Sequence, residues 1–443
     1  MIETAEIAAA RENRRRERFI KRSSQTSAKY LRELEELSET PAALRPFFDV
    51  LRRVYVEGGI IKQADVPCIG TYCTMVPQEL IYAAGAMPVK LCSGNYTAFM
   101  IGDDCVPRDA CPLVKAVAGF QEMKTLPVYR DCEMMVVPIT CDCKKKIVDI
   151  LRRECSVHVM NLSLNRTDDN SVEFCVSEYY RLISALEQIT GRQVTWNSLW
   201  QSIELIGAAQ YELSRFLELK QGEQALIKGT HVMAMMNAAS YMPITQWTQS
   251  LRLLNQELAQ RKADGKYVTK ANRPRIMLTG SPIIFPNIKV PLLIEQMGGS
   301  LAADETCMGE RSLYDPVVPV DMNFDGLLRA LANRYIRACT CPVFSENSQR
   351  IDRVLHMVKE YHIQGVIYHV LRGCLVYDYE YPLLERALER EGIPVIRVES
   401  DYNEEDIEQL RIRIEAFIEL IKLKHDHWRE DRKTNVRKVL CRH

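Results

Sequence analysis

The chain reads as an α/β protein: two layered domains with mostly parallel sheets, a helical region between them, and an N-terminal helical extension. Three observations predict this. Short apolar runs alternate with helix-length periodic stretches from about residue 65 to 175, which is the pattern of strands joined by crossover helices. The same alternation resumes after about residue 271. Between the two, residues 176 to about 264 carry unbroken three-and-four periodicity with few glycines or prolines. The expected boundaries are therefore 1–60, 61–175, 176–270 and 271–443.

In chain order, "AKYLRELEEL" and "LRPFFDVLRRVYVEGG" have apolar residues at helical spacing, so residues 1 to about 55 read as helix. "PQELIYAAG" and "CPLVKAVAGF" are helix-like, whereas "MPVKLC" (Met87 to Cys92) and "EMMVVPIT" (Glu133 to Thr140) are strand-like. The helical region holds "EYYRLISALEQI", "WNSLWQSIELIGAAQYELSRFLELKQG" and "WTQSLRLLNQELAQRKADG". "RPRIMLTGS" then reads as a strand, "VPLLIEQMGG" as a helix ending in glycine, and "SLAADE" as a strand. "IQGVIYHVL" and "IPVIRVES" are strands flanking the helix "YEYPLLERALEREG", and "DIEQLRIRIEAFIELIKLK" closes the pattern as a long amphipathic helix.

Composition narrows the function. Lysine plus arginine and aspartate plus glutamate both count 58 in 443 residues, which removes the electrostatic case for nucleic acid as the main partner. No apolar run approaches the roughly 18 to 20 residues that span a bilayer. The charged opening "MIETAEIAAARENRRRERFIKR" lacks the pattern of a secretion signal, so a soluble, cytoplasmic protein is expected. No G-x-x-x-x-G-K-[ST] loop and no G-x-G-x-x-G turn occurs, so any ATP or nicotinamide chemistry must come from another protein. No Ser/His/Asp or paired-carboxylate constellation stands out among the eight histidines, and His158 and His369, in apolar stretches, read as core residues.

Fifteen cysteines are too many for an ordinary enzyme of a reducing compartment, where a surplus of thiols points to metal or redox chemistry. About half are accounted for as small buried hydrophobes. Others stand where a strand-like run stops: Cys141 after "MMVVPIT", Cys307 after "SLAADET", Cys374 after "GVIYHVLRG". Cys73 and Cys111 precede helical stretches with proline near the start and are expected at helix N-termini. Ligands of open α/β sheets collect at the carboxyl ends of strands, and a helix N-terminus stabilises the thiolate a metal needs. No C-x₂-C pair of the zinc kind exists, so thiols spread over such a length of chain suit an iron–sulfur cluster in an interdomain crevice better. In "CDCKKK", side chains 141 and 143 of a helix starting at Cys141 would point about 200° apart. Cys141 is therefore the expected ligand and Cys143 a packing or supporting residue. Of Lys144, Lys145 and Lys146, at least two read as a solvated face, while one could supply positive charge to an anionic cluster.

The segments "GTYCTMVPQELIYAAGAMPVKLC", "DDCVPRDACPLVKAVAGF", "VVPITCDCKKK", "DETCMGER", "RYIRACTC" and "GVIYHVLRGC" with the following "PLLERALEREGIPVIRVESD" resemble, in order, the 2-hydroxyacyl-CoA dehydratase D-component family. That family also includes benzoyl-CoA reductase subunits, and the likeness is strongest to its double-cubane cluster proteins. It runs from about Gly70 to Leu420. The resemblance implies flavodoxin/Rossmann-like domains, an oxygen-sensitive iron–sulfur cofactor, and low-potential electrons from a separate ATP-hydrolysing iron–sulfur activator. By motif the ligands would be Cys73, Cys111 and Cys141 in the first half and Cys307, Cys339 and Cys374 in the second, with Cys105 set aside. Cys341 is the alternative to Cys339. Glu310 and Arg311 depart from the less charged, lysine-ended segment expected there. The leading expectation is a double-cubane [8Fe-9S] reductase of small molecules, working as a homodimer. The alternatives are a [4Fe-4S] subunit of a 2-hydroxyacyl-CoA dehydratase, or a non-enzymatic electron-relay protein.

Overall fold

A computed structural model describes residues 2–59, 65–123, 131–153, 155–269 and 272–440, with backbone alone for 2–6, 8 and 425–440. Helix α1 (Ile2–Glu35) leads into α2 (Arg45–Tyr55), where Pro46 supplies a preset φ in the first turn. The first sheet follows as β1 (Cys68–Thr71), α3 (Gln78–Ala83), β2 (Met87–Lys90), α4 (Tyr96–Gly102), α5 (Pro112–Met123), β3 (Cys132–Pro138), α6 (Asp142–Leu151) and β4 (Val157–Met160). Four helices come next: α7 (Ser171–Thr190), α8 (Trp196–Lys220), α9 (Gly229–Ala238) and α10 (Ile244–Ala263). The second sheet is built from β5 (Arg275–Gly280), α11 (Lys289–Gln296), β6 (Ser300–Glu305), α12 (Phe324–Ala332), α13 (Ser348–Glu360), β7 (Gly365–Leu371), α14 (Leu375–Arg390) and β8 (Val395–Ser400), and α15 (Ile407–Leu440) completes the order.

Both sheets have four strands, all parallel, in the orders β2-β1-β3-β4 and β6-β5-β7-β8. The two orders are equivalent, with the chain reversing its direction of travel at the central pair β1/β3 and again at β5/β7. Such a switch point leaves a crevice at the carboxyl ends of the strands. Helices cover both faces, so β1, β2, β5, β6 and β7 are buried along their whole length.

One apolar cluster joins the halves. It contains Met135 and Val137 of β3, Trp247 and Leu251 of α10, and Ile276 and Leu278 of β5, so the helical region is the shared core between the sheets. Of the expected boundaries, 60/61 and 270/271 lie outside the described residues, and 175/176 falls within α7. Among the described residues no helix is long and apolar enough to cross a membrane.

One local expectation is corrected. Cys73 does not stand at a helix N-terminus: Pro77 caps α3, and Cys73 lies in a turn closed by the Val76 N–H donating to its carbonyl at 3.4 Å. The residue before a proline is pushed out of helical geometry, so the helix starts after Pro77 instead.

Candidate metal centre

The carboxyl ends of both sheets converge on one cavity. Seven thiols line it: Cys73, Cys92, Cys111 and Cys141 from the first half, and Cys307, Cys341 and Cys374 from the second. Each position follows from local structure. Cys73 comes two residues after β1 and Cys92 two after β2. Cys111 directly precedes α5, and the N–H groups of Val114 and Lys115 both donate to its carbonyl. Cys141 and Cys374 are the N-caps of α6 and α14. Cys307 sits in the turn after β6, where Gly309 packs so closely that a Cβ there would lie 2.3 Å from an Asp304 carboxylate oxygen. Cys341 follows a π-helical turn, Asn333–Arg337, that continues α12.

Of the six thiols expected from motifs, five line this cavity, and Cys339 does not. Its carbonyl accepts from Arg166 Nη1 at 2.7 Å, and both Cys339 and Cys341 pack against the apolar cluster around α7, but of the two only Cys341 lines the space. Cys143 also stays out of the lining, and its thiol is hydrogen-bonded to that of Cys111. Cys105 donates to the Ile101 carbonyl at 3.5 Å, away from the cavity. His369 is fully buried between the Ser281 carbonyl and the Ser400 hydroxyl, as a core histidine. Sequence reasoning passed over Cys92 as a site residue, although its place at the end of a strand-like run was the same signal that marked Cys141.

Electrostatics are set by burial against two basic side chains. Burial pushes the Cys307, Cys341 and Cys374 thiols up to about 11. Burial would also raise Cys73, but the Lys144 ammonium, the Met75 N–H and Lys90 outweigh it, so this thiol is lowered. Lys144 is opposed by burial, yet the surrounding Cys73, Cys92, Cys141 and Cys307 hold its proton more firmly than usual. The hydrogen bond from Cys111 brings Cys143 down to about 6 and raises Cys111 in exchange.

Behind the second-half thiols lies a buried ionic network. Glu305, at the end of β6, takes Arg311 Nε and Nη2 at 2.8 Å each and also bonds Arg350. Arg350 in turn binds both Glu380 oxygens, at 2.7 and 2.8 Å. Burial alone would raise Glu305, but Arg311 and Arg350 hold it at about 2. Arg311 also reaches the hydroxyl of Tyr377, a cavity residue, at 3.2 Å. Both charges of the "GER" segment are therefore paired, Arg311 with Glu305 and Glu310 with Lys220, each at 2.8 Å.

The donor set is soft. Among the described residues no carboxylate or imidazole lines the cavity, which suits iron–sulfur clusters and disfavours hard cations. Among the described residues no three candidate ligands sit close enough to hold a single ion.

Comparison with known proteins identifies the family. Residues 73–421 match the family model described as 2-hydroxyglutaryl-CoA dehydratase, D-component. The chain is 30% identical over 387 residues to YjiM of Escherichia coli, provisionally named a dehydratase subunit, covering 87% of this chain and 99% of that one. It is 24% identical over 364 residues to the beta subunit of (R)-2-hydroxyglutaryl-CoA dehydratase of Acidaminococcus fermentans, covering 79% and 91%. With one of the benzoyl-CoA reductase subunits of Thauera aromatica it shares 21% over 353 residues, covering 79% and 89%.

Proposed function

Because the chain belongs to the 2-hydroxyglutaryl-CoA dehydratase D-component family, we propose that it is an iron–sulfur enzyme whose cluster is shared between its two halves. Cys73, Cys111 and Cys141 would hold it from one side, and Cys307, Cys341 and Cys374 from the other. Cys341 replaces Cys339 here because it lines the cavity. The observation that carries this reading is the convergence of thiols from both sheets on one space, whereas a single [4Fe-4S] cluster held by three thiols would engage only one half. The cofactor is then a double cubane, [8Fe-9S].

Such a cluster supplies low-potential electrons one at a time to a bound small molecule. The protein's own part is positional and electrostatic. Leu113, Val114, Ile284 and Val343 give the cavity an apolar wall. Lys144 and, through the Glu305 clamp, Arg311 present fixed positive groups to a thiolate-rich site. Electrons would come from an ATP-hydrolysing iron–sulfur activator, since this chain has no phosphate-binding loop. A homodimer would pair with a two-fold symmetric activator.

Anaerobic purification followed by iron and sulfide analysis tests the reading. The expected result is about eight irons per chain in a particle of one chain type. The second reading, a [4Fe-4S] subunit of a dehydratase, is favoured by the names of the relatives. About four irons per chain, or a required dissimilar subunit, would establish that reading in place of the first.

A further inference from the structure

Tyr402 follows the end of β8 by two residues, and its side chain is 4% exposed. Among the described residues its buried hydroxyl has no hydrogen-bond partner. An unpaired buried hydroxyl is costly, so one that persists calls for a reason. The ring is firmly placed. It packs edge-on against Phe99 of α4, with the centroids 6.1 Å apart. The backbone beside it is tied down as well, since the Asp401 carboxylate accepts from the Asn403 N–H at 2.6 Å and pairs with Arg372 at 2.8 Å. A rigid setting therefore holds an unused donor.

Its neighbours decide what that donor meets. Burial first, and then Cys111, Cys92, Tyr55 and Cys374, keep the phenol protonated well above its ordinary range. Three of these neighbours are thiols that line the cavity, while Tyr402 stands behind them and does not line it. Tyr55 is already bonded to the Tyr241 hydroxyl, and Tyr241 donates to the Cys92 carbonyl at 3.0 Å. The Cys111 thiol gives its proton to Cys143 and so offers Tyr402 little to bond. Bound to a metal, the same sulfur has no proton, carries negative charge and becomes a strong acceptor.

We propose that Tyr402 donates a hydrogen bond to the metal-bound sulfur of Cys111 and thereby sets the reduction potential of the group held there. The inference rests on the proposed function in one respect, that Cys111 is a ligand, and it holds for one cubane or for two. Tyr402 is a positioning residue: it acts through Cys111 and does not line the space a substrate would enter. A hydrogen bond to sulfur draws electron density from the iron and favours the reduced form. Lys144 acts by charge among Cys73, Cys92, Cys141 and Cys307, whereas Tyr402 acts as a neutral donor from the Cys111 side.

The test is a mediated redox titration of the anaerobically purified parent and Tyr402→Phe, with Cys111→Ser as the ligand control. Tyr402→Phe should keep its iron and shift the midpoint potential negative, on the order of tenfold in the one-electron equilibrium, or about 59 mV. Electron–nuclear double resonance of the reduced parent should show a coupled proton that exchanges in deuterated water and is missing from Tyr402→Phe. A difluorotyrosine placed at position 402, a stronger donor of similar shape, should move the potential the other way. That substitution carries the comparison should Tyr402→Phe fail to fold. Cys111→Ser reads the proposed function, and iron loss is expected there. Iron loss in Cys111→Ser with an unchanged potential and coupling in Tyr402→Phe would overturn this inference alone. Full iron in Cys111→Ser would overturn the ligand assignment and the inference with it.

Discussion

The carboxylate of Glu305 and the guanidinium of Arg311 meet edge to edge, Nε to Oε1 and Nη2 to Oε2, both at 2.8 Å. Both side chains are almost wholly buried, and the same carboxylate holds Arg350. Two arginines thus share Glu305, and Glu380 supplies the second negative charge. The pairing fixes the turn between Cys307 and Arg311 against the end of β6.

Breaking this clamp should be costly. Removing one partner of a buried ion pair leaves the other charge unpaired, typically at about 3–5 kcal/mol. Glu305→Gln is expected to lose stability on that order in denaturant unfolding. The pH dependence follows from its lowered value. The contribution of Glu305 is complete above the ordinary carboxylate value of 4.5 and disappears as pH falls through about 2. The parent should therefore lose stability across that window more steeply than Glu305→Gln, and parallel curves would remove Glu305 from this role.

Asp304, one residue earlier, behaves oppositely. Burial pushes it up to about 7, against a hydrogen bond from Thr306. A group raised in the folded state stabilises fully below its unfolded value of 3.8, and that stability is lost as pH rises through about 7. Asp304→Asn keeps an oxygen for the Thr306 N–H and cannot ionise. It should unfold at higher denaturant than the parent at pH 8, by about 1–3 kcal/mol, with the difference vanishing near pH 4. A variant less stable than the parent at pH 8 would mean that the charged form is favoured there.

The two C-x-C pairs give a paired prediction. Cys141→Ser and Cys341→Ser should each abolish or halve the bound iron, whereas Cys143→Ser and Cys339→Ser should leave it nearly intact. The basis is placement: Cys141 and Cys341 line the cavity, and their neighbours two residues away do not. Iron analysis after anaerobic purification reads the outcome, and equal losses within either pair would contradict it.

Lys144 should tune the cluster without holding it. Its ammonium sits among Cys73, Cys92, Cys141 and Cys307, so replacing it removes a positive charge next to a thiolate-bound group. Lys144→Met is expected to retain iron and to show a more negative midpoint potential in a mediated redox titration. An unchanged potential would mean that solvent or another cation screens the site.

Electron supply is tested by omission. With the proposed activator and a strong reductant present, leaving out ATP should stop turnover, because in that reading the activator couples ATP hydrolysis to the electron transfer. Undiminished turnover without ATP would remove the ATP-gated partner from the mechanism.

Alternation of apolar runs and helical periodicity, read locally, was enough to reveal strands β2, β3 and β5 to β8 and the parallel character of the sheets. It missed β1 and β4. "CIGT" is four residues containing a glycine, and it is a strand because β2 and β3 flank it; a Cβ at Gly70 would lie 2.4 Å from Leu91 Cδ1, which would have to move aside. β4, "VHVM", is a short edge strand, only partly buried. Cysteines at strand ends were legible for the same local reason: a strand followed by a helix must turn, and the turn residue faces the crevice. Which of Cys339 and Cys341 faces it was not legible, because a π-helical turn rotates the backbone just before them. Nor was the inward direction of Lys144 or the inclusion of Cys92. Those depend on how the two sheets dock through α8 to α10, a contact between residues far apart in the chain whose geometry no local period encodes.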